Sequence, residues 1–259
     1  AMSTKYLGET FDIHTGGVDN LFPHHENEIA QSEGAHQKPF VKYWLHVKHL
    51  LVNGKKMSKS LGNVYKLEDL KQFSFKTIRM ALLIGHYRKQ LDFRLKEVEK
   101  IEKSKGKVNE TIQRLLETKT NIPANPKTQK IRDSFLKQFE QEMDNDLNTP
   151  KAFAVLFDFS KKTNQLLDAQ NLGQADAKIL LDAFKKCDSV LGVLNFEPKQ
   201  TDVLAPELMK LIEKREELRR QQKWVESDAI RDQLKEKGLQ IMDTPSGPKW
   251  KKVKLNGLD

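Results

Sequence analysis

The chain has almost none of the residues that cross-link a protein and none of the long apolar runs that cross a membrane. Cys187 is its single cysteine among 259 residues, which excludes an internal disulfide and is typical of a reducing, cytoplasmic location. No run of about 18 apolar residues occurs, and no signal peptide is visible, so we expect no membrane partner. Internal repeats and extended low-complexity segments are also lacking.

Acidic residues are fewer than basic ones. Lys and Arg number 45 against 36 Asp and Glu, giving a net charge of +9 at pH 7. This excess favours a polyanionic partner such as RNA, although a lysine-rich composition alone would explain it equally well. With 37% hydrophobic and 31% charged residues, the composition predicts a soluble, helix-rich protein of one to three domains.

Residues 1–75 mix strand, glycine and helix signals. A strand is predicted at residues 9–14, a turn at residues 15–17, and a helix at residues 25–35 entered through Pro23. Asn53-Gly54 between apolar residues predicts a hairpin over residues 50–56. This order of strand, glycine turn and helix is typical of the ligand-binding edge of an α/β sheet.

Residues 76–197 have helical periodicity and predict a helical bundle. Thr149 is predicted to cap one of its helices, with Pro150 in the first helical position. Residues 198–259 then predict a linker and a small α+β module. Its two helices are expected at residues 208–220 and 225–237, and its strands at residues 240–242 and 249–253. The chain is therefore expected to be mostly α.

The loop Lys56-Met57-Ser58-Lys59-Ser60 follows the predicted hairpin directly. It holds two ammonium groups and two hydroxyls on a short segment, a composition that suits a polyphosphate. Gly62 allows a tight turn just beyond it. The alternative is a solvated basic loop.

Two further groups of residues suggest ligand binding. His24 and Glu28 are four residues apart, so a helix places them on one face, compatible with a shared metal ion or with an ordinary surface pair. Gly16, Gly17 and Asp19 form a turn after a strand, where glycines allow a nucleotide to approach and a carboxylate can accept hydrogen bonds from ribose hydroxyls. An ordinary tight turn is the alternative.

These motifs occur together in an order that resembles the cysteinyl-tRNA synthetases, a class I family. The resemblance covers essentially the whole chain and implies the C-terminal part of a longer enzyme, whose HIGH-type motif and first half of the nucleotide-binding fold would lie upstream. The matching segments are residues 11–19, 22–28, 43–46, 56–63, 143–150 and 243–245.

The family implies ATP-dependent activation of cysteine followed by transfer to tRNA-Cys, with ATP used together with Mg²⁺. On this chain the resemblance assigns the phosphate contacts to Lys59 and Lys56. Ser58 and Lys59 of the loop, with Gly16, Gly17 and Asp19, would contact ATP. Thr15 departs from the family pattern, which usually has a third glycine there. Trp44 and His46 are expected near the same edge, although Trp44 can equally belong to the core.

The resemblance also implies a zinc site. His24 and Glu28 match two of the family's zinc ligands, while both zinc cysteines would lie upstream, and Cys187 cannot replace them. Zinc prefers sulfur ligands, so it selects a thiol over the hydroxyl of serine. We expect weak or absent zinc binding by this chain alone. His25 is expected to contact either the substrate or one of the zinc ligands.

The C-terminal module is expected to read the tRNA anticodon. The matching residues are Arg219, Trp224, Asp228 and Asp243, whose side chains can stack on unpaired bases or hydrogen-bond their edges. Helix packing is the alternative for Trp224, and a salt bridge to Arg231 or Lys235 is the alternative for Asp228.

Two other functions remain open at this point. A cysteine ligase acting on a small amine would use the same catalytic core without a tRNA-reading module. A tRNA-binding fragment without catalysis of its own is the other, since half of the active site would be missing. The family resemblance favours a monomer.

Overall fold

The structure, a computed structural model, describes residues 1–198, 206–244 and 247–252 and is mostly helical. The chain divides into two units, residues 1–198 and residues 199–259. Nine helices of five or more residues with α geometry lie within the described residues: α1 (Met2–Leu7), α2 (Glu26–His36), α3 (Phe75–Leu83), α4 (Leu95–Glu117), α5 (Pro126–Asp144), α6 (Thr149–Asp168), α7 (Gln174–Leu191), α8 (Pro206–Arg220) and α9 (Trp224–Glu236). The strands are β1 (Phe11–Gly17), β2 (Val41–Val47), β3 (Leu50–Val52), β4 (Lys55–Lys56), β5 (Leu91–Phe93), β6 (Leu239–Thr244) and β7 (Gly247–Lys252).

Two small sheets form the α/β part of the first unit. β1 and β2 pair in parallel, with α2 in the connection between them, and their last residues Gly17 and Val47 are register partners. The carboxyl ends of both strands therefore lie at one edge. The second sheet has the order β4-β3-β5, with β3 antiparallel to β4 and parallel to β5.

The predicted hairpin is confirmed, and the conformation of its two turn residues explains why it forms. Asn53 and Gly54 both have positive φ, 51° and 77°, the combination that a two-residue turn of the I′ type requires. Strand β5 was not predicted, since the region from residue 76 onward was expected to be helical. Three residues are too few for a period-two pattern to appear, and β5 forms because Leu91–Phe93 pairs with β3.

Helices α4 to α7 form the predicted bundle around an apolar core. Ile112, Phe153, Leu180 and Phe184 are fully buried in it. The predicted cap of α6 was wrong by one residue: Asn148 Oδ1 accepts a hydrogen bond from Lys151 N at 3.4 Å, and Thr149 is the first helical residue. The expected architecture of an α/β remnant followed by a helical bundle is confirmed, while the boundary near residue 75 stays a prediction.

The second unit contains α8, α9 and the antiparallel pair β6 and β7. Leu218, Ile230, Leu234 and Leu239 form its buried core. The two predicted helices and the strand pair are confirmed. Residues 199–205 of the predicted linker, and residues 245 and 246 of the predicted turn, lie outside the described residues. Among the described helices, none combines the length and apolar character needed to span a bilayer.

Candidate functional site

The parallel pair β1 and β2 presents a histidine-rich face. His14 on β1 is the register partner of Trp44 on β2, and Gly16 is the partner of His46. Alternation along a strand places His14 and Gly16 on the same face. The segment before α2 brings His25 against this face, so that three chain segments supply one cluster.

Ring contacts hold the cluster together. His25 is 2% exposed, and its Nδ1 lies 2.8 Å from His46 Nε2, a hydrogen-bond distance. Trp44 stacks on His14, with ring centres 4.7 Å apart, and lies 4.8 Å from the ring centre of His25. Burial lowers the pKa of His25, and the neighbouring His14 and His46 lower it further. The cluster therefore favours a neutral His25.

Gly16 is the point of closest approach between β1 and this histidine. A Cβ at Gly16 would lie 2.6 Å from His25 Cε1 and 2.9 Å from His25 Nε2. The glycine is therefore needed to admit the His25 ring, whereas the sequence suggested only access for a nucleotide. Gly17 ends β1, and the exposed Asp19 follows, its Oδ1 4.0 Å from His49 Nδ1. The three predicted nucleotide contacts thus lie together at the carboxyl edge.

Glu28 lies between two histidines. Its Oε2 is 3.4 Å from His14 Nε2, and its Oε1 is 3.8 Å from His24 Nε2. Glu28 Oε2 is buried without a hydrogen-bond partner. The predicted pair His24 and Glu28 is therefore brought together by one turn of helix, although the His24 side chain is 65% exposed.

A second donor set overlaps the predicted one. Single ligand atoms of His14, His25 and Glu28 all lie within 4.8 Å of one another. His14 was not among the predicted metal ligands. The turn predicted at residues 15–17 was wrong, because β1 continues to Gly17 by pairing with β2. The place of His14 on this strand, opposite the aromatic residues of β2, is the signal that could have found it.

The donor set fits a zinc ion in part. The carboxylate of Glu28 and the imidazole of His24 are suitable ligands, and Glu28 Oε2, which lies 3.4 Å from His14 Nε2, accepts no hydrogen bond from the described residues. Cys187 is fully buried on α7 in the bundle core, where burial raises the pKa of its thiol, and it supplies no thiolate to this site.

The predicted phosphate loop is held by Asn63. Its Oδ1 accepts from Ser58 N at 2.9 Å, and its Nδ2 donates to Lys56 O at 3.1 Å. Ser58 Oγ caps a short helix at Lys59–Leu61, and Gly62 ends it at φ 62°. This role of Asn63 was not predicted. An amide that accepts from one backbone N–H and donates to another residue's carbonyl is recognisable only once the loop is folded.

Lys56 and Lys59 project from this braced loop. Both side chains are exposed. Within the described part of the chain, neither ammonium is paired with a carboxylate. The loop therefore offers two positive charges to solvent on a backbone whose shape is fixed by Ser58 and Asn63.

Three of the four predicted anticodon residues can be described in full in the second unit. The Arg219 guanidinium lies over the Trp224 ring, and Asp228 pairs with Arg231 at 3.5 Å. The last contact is the alternative that the sequence left open for Asp228. Asp243 lies on β6, and its side chain is outside what the structure describes.

Two family models match this chain. Residues 1–104 match the class I (C) catalytic domain of tRNA synthetases, and residues 138–195 match the DALR domain. The first segment contains the histidine cluster and the phosphate loop, and the second contains all of α6 and α7.

Named relatives match nearly the whole chain. The cysteine–tRNA ligase of Chlamydia felis is 46% identical over 97% of this chain and 53% of its own length. Those of Leptospira interrogans and Brachyspira hyodysenteriae are 44% and 41% identical, each over 97% of this chain and 55% and 54% of their own length. The chain thus spans about half the length of these relatives.

Two solved structures share the fold. One is the agnB2 LeuRS of Agrobacterium radiobacter K84, in a ternary complex with tRNA and LeuAMS. The match covers 70% of this chain and 25% of the LeuRS chain, with a TM-score of 0.54 and 16% sequence identity. The other is the methionyl-tRNA synthetase of Mycobacterium tuberculosis in complex with methionyl-adenylate. The match covers 70% of this chain and 40% of the synthetase chain, with a TM-score of 0.51 and 14% sequence identity. At these identities the likeness concerns the fold alone.

Proposed function

Because the chain is homologous to cysteine–tRNA ligases over nearly its whole length, we propose that it acts in the ATP-dependent ligation of cysteine to tRNA-Cys. The observation that carries this proposal is the match at 41–46% identity over 97% of the chain, which includes the catalytic-domain segment and the DALR domain. The partners are then cysteine, ATP with Mg²⁺, and tRNA-Cys.

In this proposal the phosphate loop stabilises the charge that develops when the cysteine carboxylate attacks the α-phosphate of ATP. Lys59 and Lys56 are the groups that meet this charge as pyrophosphate leaves. Bracing by Ser58 and Asn63 supports this role, because a loop that already has its shape loses less entropy on binding.

The carboxyl edge of β1 and β2 is the proposed place for the adenosine. Asp19 is exposed there and can accept hydrogen bonds from ribose hydroxyls, while Gly16 and Gly17 leave room for the neighbouring His25 ring and Asp19 carboxylate. Ligands of open α/β sheets bind at this edge, which supports the assignment.

His24 and Glu28 are the residues that would hold zinc in this chain. A zinc ion there would supply a sulfur-preferring centre that distinguishes cysteine from serine. Glu28 is already oriented for this role by the helix turn that it shares with His24 and by its approach to His14. The buried His25 packs against Gly16 and is hydrogen-bonded to His46, so its ring is held in place beside the proposed site.

The second unit is proposed to bind the anticodon. Trp224, with Arg219 over one face of its ring, offers a stacking plane, and the basic residues around it favour a phosphate backbone. Asp228 and Asp243 are proposed to accept hydrogen bonds from base edges.

The test is charging of tRNA-Cys by the purified protein with ATP and either cysteine or serine. Formation of cysteinyl-tRNA, without seryl-tRNA, is the expected result for a ligase. Binding of tRNA-Cys without charging would instead favour the second candidate, a tRNA-binding polypeptide; the exposed Trp224 ring beside Arg219 supports that candidate. If the protein neither charges nor binds tRNA-Cys, both candidate functions are contradicted.

A further inference from the structure

Three consecutive residues of the loop between α3 and β5 converge on one carboxylate. Asp146, in the turn between α5 and α6, accepts a hydrogen bond from the Tyr87 hydroxyl. The Arg88 guanidinium binds both of its oxygens, with Nε 2.6 Å from Oδ2 and Nη2 3.1 Å from Oδ1. His86 Nε2 lies 3.8 Å from Oδ2. A bidentate arginine contact fixes orientation as well as distance.

The turn that carries Asp146 has an unusual backbone. Asp146 and Leu147 both have positive φ, 57° and 53°, a conformation that side chains with a Cβ rarely adopt. Leu147 N donates to Met143 O at 3.0 Å, which keeps the turn closed on the end of α5. The Asp146 carboxylate is thus presented to the loop by a turn that has few alternative shapes.

The same loop reaches the carboxyl edge of β1 and β2 through its backbone. Lys48 N donates to Tyr87 O at 2.9 Å. Lys48 directly follows Val47, the register partner of Gly17, and precedes His49, whose ring faces Asp19. A continuous series of contacts therefore joins Asp146, in the bundle, to the end of the nucleotide turn.

We propose that Asp146 is a positioning residue for the nucleotide site: by holding Tyr87 and Arg88 it fixes the end of β2, and with it Gly17 and Asp19. This inference rests on the proposed function, because it takes the Gly17–Asp19 edge to be where ATP binds. Asp146 itself need not touch the substrate. The alternative is a tie that holds the bundle in place without influence on nucleotide binding.

The test compares D146N with D144N. Asn tolerates positive φ, so D146N keeps the turn and removes the charge and one acceptor oxygen. Asp144 is an exposed carboxylate two residues away and provides the matched control. Amide hydrogen exchange at Lys48 is measured by NMR in both variants, with the buried Ile112 as the reference for global stability. The dissociation constants for ATP and for tRNA-Cys, at fixed salt, are measured on the same samples.

We expect D146N to accelerate exchange at Lys48 by about tenfold, the factor for one lost charge-assisted hydrogen bond, while Ile112 is unchanged. The ATP dissociation constant should rise by about the same factor, and the tRNA dissociation constant should stay within about twofold. D144N should match wild type throughout.

Four results would overturn the inference. Exchange at Lys48 could be unchanged in D146N, or could rise only together with exchange at Ile112, which would indicate a general loss of stability. Faster exchange at Lys48 with unaltered ATP affinity would leave the proposed function intact and remove the positioning role. If wild type fails to bind ATP, the proposed function fails for this site and the positioning role fails with it, although the exchange result would still measure the contact.

Discussion

The Arg219 guanidinium carbon lies 5.7 Å from the centre of the Trp224 ring, within the range of a cation–π contact. Arg219 lies near the end of α8, and Trp224 is the first residue of α9. The Trp224 residue is nevertheless 55% exposed. The contact therefore orients the ring without burying it, which leaves stacking surface for a base.

Replacing Trp224 should weaken tRNA binding with little effect on stability. A base stacked on an aromatic ring contributes about 1–3 kcal/mol, so W224A should raise the dissociation constant for tRNA-Cys about fivefold to 150-fold at fixed salt. The control is V225A, which removes an adjacent apolar side chain that is 85% exposed. Equal affinity of W224A and V225A would exclude stacking on Trp224.

Two glycine-to-alanine substitutions should have opposite effects on stability. In G16A the new methyl group would collide with the buried His25 ring, and overpacking of this kind costs about 1–3 kcal/mol. In G34A, within α2, the methyl group meets no atom within 4 Å, and the substitution should stabilise the helix by about 0.5–1 kcal/mol. Urea unfolding of both variants measures the difference, and a G16A variant as stable as wild type would contradict the packing of His25 on Gly16.

Lys59 should contribute to ATP binding. Loss of one charge-assisted contact costs about 1.5–3 kcal/mol, so K59A should raise the ATP dissociation constant by about tenfold or more, and K56A should act in the same direction. K55A removes an equally exposed lysine from β4 and should leave the constant unchanged. If all three variants weaken ATP binding equally, the effect is one of net charge alone.

Zinc binding by this chain should be weak and should depend on Glu28. With two predicted protein ligands, binding should fall well short of the roughly 10–16 kcal/mol of structural four-ligand sites. Competition with a chromophoric chelator should show a further loss of affinity in E28Q and in H24A. E26Q changes an exposed carboxylate on the same helix and should not differ from wild type. If H14A weakens binding and H24A does not, then His14 and His25 would be the ligands with Glu28.

Local signals predicted much of the fold. Asn53-Gly54 predicted its hairpin because a tight turn needs residues that tolerate positive φ, and helical periodicity predicted α6, α8 and α9. Strand β5 could not be predicted, because it is short and depends on β3 for its hydrogen bonds. The cap of α6 was misplaced because Asn148 and Thr149 are both good capping residues, and the fold uses the first.

The candidate site was less accessible to sequence reasoning. His24 and Glu28 could be paired from helical spacing alone, since four residues make one turn. The approach of His14 to Glu28 and of His25 to Gly16 joins separate elements. Such contacts depend on how β1 and α2 pack, which local patterns do not specify. Asn63 bonds its own loop, and that contact depends on the folded shape of the loop.

The most direct test of the account is binding of the protein to tRNA-Cys and to the same tRNA with its anticodon replaced, at one fixed salt concentration. Because phosphate contacts carry no sequence information, only base contacts can distinguish the two RNAs. We predict clearly weaker binding of the replaced tRNA, and that this difference disappears in W224A. Equal binding of both tRNAs by the wild-type protein would contradict anticodon recognition by Arg219, Trp224, Asp228 and Asp243.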